Sequence, residues 1–305
     1  MKFKLFLGSV LFTFGFVVSA APEGTPPPPP VSPPQPHGLT TLTWHGHAAF
    51  EIVTPQGLVL MIDPWLSNPQ NPLAQSQKDP TVAVAKLDYI LITHGHFDHV
   101  GNAVALAKRT GAKLITNFEL GANLSKLHGY PKNQATFETL MNIGGEIIIG
   151  NGEVKVVMTP AVHSSGLARS ADPNAESEIV SGGNAAGFVV AIKNGPTIYH
   201  TGDTDYFRDM ELIGQFHKPD VSLINGGGHF GMEPEAAARA ARAVEADICI
   251  PHHFGTFPIL QSGDAIFRAL RRSGGCQVQM LQPGQSLPFK GKHLYQPLRR
   301  PRYYQ

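Results

Sequence analysis

The most informative stretch of this sequence is Leu91-Ile92-Thr93-His94-Gly95-His96-Phe97-Asp98-His99. It places three histidines and one aspartate within six residues, directly after an apolar run of the kind that forms a buried strand. Side chains two residues apart on an extended chain point the same way, so His94 and His96 can bind one metal ion. Asp98 and His99 follow where the chain turns into a helix, and they can bind a second ion. Imidazole and carboxylate groups suit zinc and other divalent transition ions, so the stretch predicts a metal site.

Two metal ions need more ligands than this loop supplies, and residues of suitable types follow three later predicted strands. They are His163, Asp203 and the neighbouring pair His252 and His253. Ligand sites of open sheets gather where strands end, so we expect these side chains to converge on the first loop. A carboxylate has two oxygens, and Asp203 can therefore bridge two cations.

The composition narrows the class of protein. The 305 residues carry 24 basic and 23 acidic side chains, a formal net charge of +1, and 42% of them are hydrophobic. That apolar fraction excludes a disordered chain, and the balanced charge argues against a nucleic-acid partner, which requires a basic surplus. With 14 histidines and only 2 cysteines, cysteine-rich zinc fingers and disulfide scaffolds are excluded, whereas histidine-based metal chemistry is not.

The start of the chain differs in composition from the rest. Two lysines precede an apolar run of 14 residues and then small residues, which is typical of a signal peptide over residues 1–21. The run is shorter than the roughly 18 residues of a membrane span, and an uncleaved anchor is the alternative. A proline-rich run predicts an extended linker over residues 22–37. We therefore expect a periplasmic or secreted domain over residues 38–305, without stable membrane insertion once the signal is removed.

Strand and helix patterns alternate along this domain. Strands are predicted at Leu39–Thr54, Leu58–Ile62, Leu87–Thr93, Lys113–Thr116, Glu146–Ile149, Val154–Thr159, Phe188–Lys193, Thr197–His200, Val221–Ile224 and Ile248–Ile250. Helices are predicted at Asn102–Thr110, Phe118–Leu127, Pro234–Glu245 and Gly263–Arg272. The alternation predicts an α/β domain of two sheet-plus-helix layers, with the strands inside. Cys249 is expected to be buried, and whether it pairs with Cys276 stays open.

The histidine-rich loop resembles the HxHxDH signature of the metallo-β-lactamase superfamily. Further similar segments include Thr43–Ala48, Ile62–Pro64, Thr159–Ser165, Gly182–Phe188, Tyr199–Thr204 and Pro251–Pro258. Together they resemble the branch of metal-dependent hydrolases similar to the L-ascorbate-6-phosphate lactonase group. The resemblance covers Leu39 to Leu287, essentially the whole domain.

This resemblance implies a four-layer αβ/βα sandwich with the site at one edge of the paired sheets. It implies a ligand set for each of two divalent ions, joined by a bridging carboxylate: His94, His96 and His163; Asp98, His99 and His253; and Asp203 between them. The family pattern Pro-x-His-aromatic-Gly-Thr favours His253 over His252. The segment from Phe230 to Pro234 departs from the family's Phe-Thr-Met-Gly-Pro, which places the substrate preference, but not metal binding, in question.

Hydrolysis is the chemistry that such a site predicts. Two cations sharing a water lower its pKa from about 15.7 towards about 7, and the resulting bridging hydroxide would cleave a small ester, lactone or phosphodiester. Asp98 or Asp203 could pass the proton on, and His47 and His229 are candidates for substrate contact or proton delivery. Asp63 either orients a ligand imidazole or is a turn residue before Pro64.

Several questions stay open at the level of sequence. Zinc is the expected metal, with manganese or iron as alternatives. An iron-dependent oxygenase on the same fold and a non-catalytic periplasmic metal-binding protein are the rival functions. His200 and Thr204 are expected to position Asp203, and Arg169 is either a carboxylate or phosphate binder or a solvated surface residue. The partner is expected to be a small-molecule substrate whose identity the sequence does not give, and the oligomeric state is open.

Overall fold

The computed structural model describes residues 38–172 and 175–295 of the chain. The predicted signal peptide and proline-rich linker lie outside the described residues. None of the helices in the part that is described is long and apolar enough to cross a membrane.

The described chain forms seventeen strands, numbered here in chain order. They are β1 Thr40–Trp44, β2 Phe50–Val53, β3 Val59–Ile62, β4 Tyr89–Leu91, β5 Lys113–Asn117, β6 Leu140–Met141, β7 Glu146–Ile149, β8 Val154–Pro160, β9 Gly166–Ala168, β10 Ile179–Ser181, β11 Ala186–Ile192, β12 Thr197–His200, β13 Val221–Asn225, β14 Ile248–His252, β15 Gln277–Val278, β16 Ser286–Lys290 and β17 His293–Leu294. The first sheet has the order β17-β16-β1-β2-β3-β4-β5-β6, and the second has the order β15-β14-β13-β12-β11-β8-β7. Strands β9 and β10 form a separate antiparallel pair.

The α-helices within the described residues are α1 Pro72–Ser76, α2 Phe97–Val100, α3 Ala103–Thr110, α4 Phe118–Asn123, α5 Met210–His217, α6 Pro234–Val244 and α7 Gly263–Ser273. Short 3₁₀ turns span Pro80–Ala83, Lys132–Gln134 and Gly150–Gly152, and a π-helical turn spans Leu124–His128. The predicted helix Phe118–Leu127 is thus helical to within one residue of its predicted end, but its hydrogen bonding changes to the wider π pattern after Asn123.

The layering follows from the period-two alternation of side chains along the strands. Leu42 and Phe50 of the first sheet pack against Phe188 and Leu223 of the second in one buried cluster between the sheets. Residues that point to the outer face of each sheet are covered by helices. Met61 and Ile90 belong to a cluster with α3 and α4, and Tyr199 and Ile224 belong to one with α5, α6 and α7. The predicted four-layer αβ/βα sandwich is therefore confirmed.

Helix α6 shows how the outer layer is encoded. It begins at Pro234, whose missing N–H costs nothing in the first turn. Its buried residues are Ala237, Ala238, Ala240, Ala241 and Val244, which recur at helical spacing along one face. Small side chains on that face let the helix lie close to the second sheet.

One predicted strand is wrong in a way that matters for the site. The run Leu39–Thr54 is two strands, because β1 ends at Trp44 and β2 begins at Phe50. Between them Gly46 and His47 adopt positive φ angles of 91° and 50°, which reverse the chain. The backbone N–H of His45 closes the turn by donating to the carbonyl of Ala49 at 2.8 Å. The turn brings His47 to the sheet edge.

Strand direction places the predicted ligand loops together. Strands β12, β13 and β14 are mutually parallel, and β8 runs in the same direction because both β8 and β12 pair antiparallel with β11. Their carboxyl ends therefore share one edge of the second sheet. Cys249 in β14 is fully buried, as expected, and forms a disulfide with Cys276 that ties this strand to the chain before β15.

Candidate metal centre

Side chains from five loops converge at the edge of the paired sheets. They come from the turn between β1 and β2 and from the segments that follow β4, β8, β12 and β14. The structure brings together every predicted metal ligand and adds His47: His47, His94, His96, Asp98, His99, His163, Asp203 and His253.

The first group consists of His94, His96 and His163, whose ligand nitrogens all lie within 4.8 Å of one another. Nε2 of His94 is 2.9 Å from Nδ1 of His96, and Nε2 of His163 is 3.4 Å from the same atom. Nitrogens bound tetrahedrally to one zinc ion at about 2.05 Å stand roughly 3.3 Å apart. The spacing of the three imidazoles therefore suits a single ion.

The second group contains Asp98, His99, His253 and also His47. Oδ2 of Asp98 lies 3.5 Å from Nε2 of His253, 3.9 Å from Nε2 of His99 and 2.9 Å from Nε2 of His47. His47 is fully buried, and its Nδ1 is 2.8 Å from the hydroxyl of Thr256. Because the His47 ring is enclosed, it does not contact a substrate directly. Of its two predicted roles, substrate contact and proton delivery, the structure is compatible with proton delivery through Asp98.

Asp203 lies between the two groups, where the resemblance places a bridging carboxylate. Its Oδ2 is 3.0 Å from Nε2 of His253, 3.3 Å from Nε2 of His99 and 3.8 Å from Nε2 of His163. Its other oxygen accepts a 2.6 Å hydrogen bond from the amide nitrogen of Asn225. The Asn225 amide thus fixes the orientation of the carboxylate and leaves Oδ2 facing ligand nitrogens of both groups.

Asp63 hydrogen-bonds to His99 on the side of the ring that faces away from Asp203. Its carboxylate accepts hydrogen bonds from the backbone N–H of Thr93 at 2.8 Å, the Thr93 hydroxyl at 2.7 Å and Nδ1 of His99 at 2.7 Å. Donation from Nδ1 leaves the Nε2 lone pair of His99 facing Asp203. The structure therefore shows the orienting contact that was one of the two sequence interpretations of Asp63.

The protonation of the cluster suits cation binding. Burial lowers the pKa of His94, His96 and His163, and it lowers that of His47 to about 4, so these rings are neutral. Burial alone would raise the pKa of both carboxyl groups. Neighbouring imidazoles outweigh it and hold the pKa of Asp98 and Asp203 well below the usual range. Neutral imidazoles and ionised carboxylates are the ligand forms that divalent ions require.

His99 and His253 have the opposite tendency. Burial lowers their pKa, but the carboxylate of Asp203 outweighs it and raises the pKa of His253 to about 9 and that of His99 well above its usual value. Nε2 of each ring is buried and faces Oδ2 of Asp203, at 3.3 Å for His99 and 3.0 Å for His253, without an aligned hydrogen bond among the described residues. A cation held between these nitrogens and Oδ2 of Asp203 gives both atoms a partner, so the residues present fit a metal centre.

The two adjacent histidines after β14 point to different places. His253 adopts a positive φ of 61° and turns into the cluster, with its backbone N–H donating to the carbonyl of His47 at 3.0 Å. His252 is fully buried between the sheets, where its ring lies 4.5 Å from that of His200. The structure thus selects His253 on geometry, in agreement with the preference drawn from the family pattern.

The remaining predicted residues lie around this centre. His200 is buried, and its Nδ1 accepts from the backbone N–H of Gly202 beside Asp203. The Thr204 hydroxyl accepts from the backbone of Val162, next to His163. His229 is exposed on the loop before α6, with its ring 4.5 Å from that of Phe230. Arg169 forms an exposed 2.7 Å ion pair with Glu178, so it is not free to bind a substrate anion in this arrangement.

Sequence reasoning missed two supporting residues. Asn225 ends β13 between the two ligand-bearing strands β12 and β14, and this position was the signal that could have found it. Gln70 connects the His47 turn to the loop after β14, since its Oε1 accepts from the His47 backbone at 3.1 Å and its amide donates to the Phe254 carbonyl at 2.8 Å. No pattern near Gln70 indicated this contact.

Comparisons with known proteins agree with this fold and site. The model of the beta-lactamase superfamily domain matches residues 59–254. A UPF0173 metal-dependent hydrolase of Anaeromyxobacter dehalogenans is 51% identical over 258 residues, covering 83% of this chain and 88% of its own. Another, from Thermodesulfovibrio yellowstonii, is 49% identical over 223 residues, covering 73% of this chain and 81% of its own. The solved structure of Igni18, a metallo hydrolase from the archaeon Ignicoccus hospitalis, is 30% identical, with a TM-score of 0.67 over 82% of this chain and 98% of that one.

The fold and the candidate metal centre together define a domain of the beta-lactamase superfamily. Within it, the chain belongs to the UPF0173 family of metal-dependent hydrolases. The resemblance to the metallo-β-lactamase superfamily that the sequence motifs indicated is confirmed.

Proposed function

We propose that this chain hydrolyses a small ester, lactone or phosphodiester at a pair of divalent metal ions, in the periplasm or outside the cell. The observation that carries the proposal is the sharing of Asp203 between two groups of ligand atoms. One group would hold an ion through His94, His96 and His163, and the other through Asp98, His99 and His253.

When bound, two such ions would lower the pKa of a water between them and supply the attacking hydroxide at neutral pH. The chain's own residues then handle the proton. Asp98, whose Oδ2 lies 2.9 Å from Nε2 of His47, is the candidate to accept the proton of the attacking water and to hold that proton. For an ester, the hydroxyl adds to the acyl carbon, the carbon–oxygen bond of the leaving alcohol breaks, and that alcohol takes the proton from Asp98.

Zinc is our preferred ion, because the ligands are five imidazoles and two carboxylates, a set that suits it well. Manganese and iron accept the same donors. The disulfide between Cys249 and Cys276 supports an oxidising compartment, since such bonds are rare in the cytosol of mesophiles. Cell fractionation of the full chain checks the localisation.

The deciding experiment counts metal and activity together. The purified protein is stripped with a chelator, reloaded with zinc, manganese or iron, and tested on lactones, esters and phosphodiesters. We expect hydrolysis to return with about two ions per chain, and His96→Ala and Asp98→Ala to lose both metal and activity. His293→Ala is the matched control, because His293 is an exposed histidine at the far edge of the first sheet.

Three outcomes contradict the proposal. Full activity and full metal content in both variants would remove the first loop from the site. Turnover that consumes oxygen with iron bound would favour the oxygenase instead. Two bound ions with no hydrolysis of any of the three substrate classes would favour a metal-binding protein without catalysis.

A further inference from the structure

A cavity of about 260 Å³ opens beside the metal-binding loop. It lies between α2 and the segment that contains β9. Its walls are mostly apolar and include Trp65, Phe97, Val100, Leu167 and Ala168. Among the described residues that line it there is no lysine, arginine, aspartate or glutamate.

This cavity adjoins the loop that carries His94 and His96. Gly95, whose backbone connects the ligands His94 and His96, forms part of its wall. The N–H of Gly95 donates to the hydroxyl of Ser165 at 3.1 Å, and a Cβ on Gly95 would stand 3.1 Å from the carbonyl oxygen of Gly166. The loop that holds the first group of ligands and the segment that forms the opposite wall are thus packed together, so a group in the cavity lies next to the ligand loop.

Aromatic rings lie at the mouth of the cavity. The Trp65 ring lies 5.6 Å from that of Phe97 and 5.1 Å from that of His47, and it stacks at 5.8 Å on Phe257. Phe97 stays 60% exposed although it stands between two predicted ligands. With the half-buried rings of Trp65 and Phe257, Phe97 forms a contiguous apolar patch, and such a patch marks a surface that a ligand covers.

The charges nearby point the same way. Arg169, the one arginine of this segment, is paired with Glu178 on the surface rather than turned into the cavity. The one imidazole among the described lining residues, that of His128, has its Nε2 2.7 Å from the carbonyl of Ala168. A phosphate or carboxylate in the cavity would lie against mostly apolar walls with no described lysine or arginine beside it, which is costly. The cavity therefore suits an uncharged group.

Resting on the proposed function, we infer that the cavity binds the acyl group of the substrate and that the substrate is a neutral ester or lactone with a short apolar acyl chain. Ligand pockets for drug-sized molecules span roughly 300–1,000 Å³. A cavity of about 260 Å³ is smaller than these, so it fits a chain of a few carbons or one aromatic ring rather than a long lipid chain.

The test is a series of p-nitrophenyl esters in which only the acyl group changes. Each buried methylene strengthens binding by about 0.8 kcal/mol, or roughly fourfold when fully enclosed. Because the cavity is open on one side, we expect kcat/KM to rise roughly tenfold or more from acetate to hexanoate. The anionic succinate monoester is expected to fall below the hexanoate by a similar factor.

Two variants assign this selectivity to the cavity. Ala168→Phe fills it, and Ser67→Asp places a carboxylate on its wall at an exposed position that tolerates the change. Both should lower the ratio of hexanoate to acetate turnover towards one. Ala122→Phe adds the same ring to an exposed position on α4 outside the cavity, so it should leave the ratio unchanged.

Direct binding separates this inference from the proposed function. Trp65 lines the cavity, whereas Trp44, the other tryptophan, is 1% exposed in the core. Hexanamide should therefore change the tryptophan fluorescence of the metal-free protein, acetamide should not, and Trp65→Phe should abolish the response. Ester hydrolysis without chain-length preference, or without any effect of either variant on the ratio, overturns the inference and leaves the proposed function standing. Hexanamide binding with no hydrolysis of any ester or lactone overturns the assignment of the bound group as an acyl chain. If phosphodiesters are not hydrolysed either, the proposed function is overturned as well.

Discussion

Replacing Asp63 with asparagine tests whether the support behind His99 controls metal affinity. Asp63 is fully buried and has a φ of 47°, in the left-handed region. Asparagine tolerates that region better than other non-glycine residues and has nearly the same shape as aspartate. Asp63→Asn therefore changes the hydrogen bonding of one side chain and leaves the backbone turn intact.

The hydrogen bonds dictate how the new amide must sit. Oδ1 of Asp63 accepts from the backbone N–H of Thr93, so the amide oxygen of the variant has to take that place. The amide nitrogen then occupies the position of Oδ2, where it faces Nδ1 of His99 at about the present 2.7 Å. It donates to Nδ1 and forces the ring proton onto Nε2, the atom that should bind the metal.

The cost of losing such an orienting partner is known in order of magnitude. Changes at residues that orient a metal ligand lower metal affinity by about 10–100-fold, or about 1.4–2.7 kcal/mol. We expect a zinc competition titration against a chromophoric chelator to report a loss of this size for Asp63→Asn. The thermal unfolding midpoint of the chelator-treated variant should confirm that the domain is folded.

Asp79→Asn is the matched control. The carboxylate of Asp79 caps the 3₁₀ turn at Pro80–Ala83 by accepting from Thr81, and an asparagine oxygen can accept the same bond. Its zinc affinity should equal that of the wild type. The reasoning is refuted if Asp63→Asn binds zinc within twofold of the wild type while His99→Ala loses an ion, because His99 would then be a ligand that needs no support from Asp63.

Three further predictions concern other parts of the structure. Asn225→Leu removes the 2.6 Å bond to Asp203 and should lower zinc affinity by roughly tenfold or more in the same titration; unchanged affinity would mean that Asp203 needs no anchor. Reducing the disulfide, whose cysteines are 27 residues apart, should lower the free energy of unfolding in urea by about 3.5 kcal/mol, and equal stability with and without reductant would contradict this. Acid should destabilise the metal-free protein between about pH 6.5 and 4, because His47 has a pKa of about 4 when folded and takes up a proton on unfolding; the contribution is on the order of 3 kcal/mol. His253, with a folded pKa of about 9, stabilises the fold below pH 6.5 and loses that effect as the pH rises through 9. In urea unfolding measured against pH, His47→Gln should therefore make the acid limb less steep and leave the alkaline limb unchanged; an unchanged acid limb would contradict this.

Much of the architecture could be predicted because the strands are apolar runs with clear breaks. Most predicted strands and helices fall within two residues of those in the structure, including β7, β12 and α6. The failure at Leu39–Thr54 has a physical reason. His45 to Ala49 lacks proline or an Asn-Gly pair, and its reversal depends on a left-handed His47 that tertiary contacts with Gln70 and Thr256 hold in place.

The convergence of the candidate ligands could be predicted for a different reason. A metal ligand must be a histidine, aspartate or similar residue, and strand ends bring such residues together, so few other choices exist for the segments after β4, β8, β12 and β14. The choice between His252 and His253 could not be made from residue type alone. It depends on whether the chain bends before or after His252, and the backbone of His253 shows that the bend comes after it. Asn225 was missed because its residue type is not a usual metal ligand, although it ends a strand beside two strands that carry candidate ligands.

The division of ligands between the two sheets has a consequence for how the domain matures. The first sheet contributes His47 and the loop after β4, and the second contributes His163, Asp203 and His253. Neither half of the chain offers Asp203 and the Asp98 loop together, so a nascent or truncated polypeptide has no complete binding site. We therefore expect this centre to bind an ion tightly only after both halves of the chain have docked.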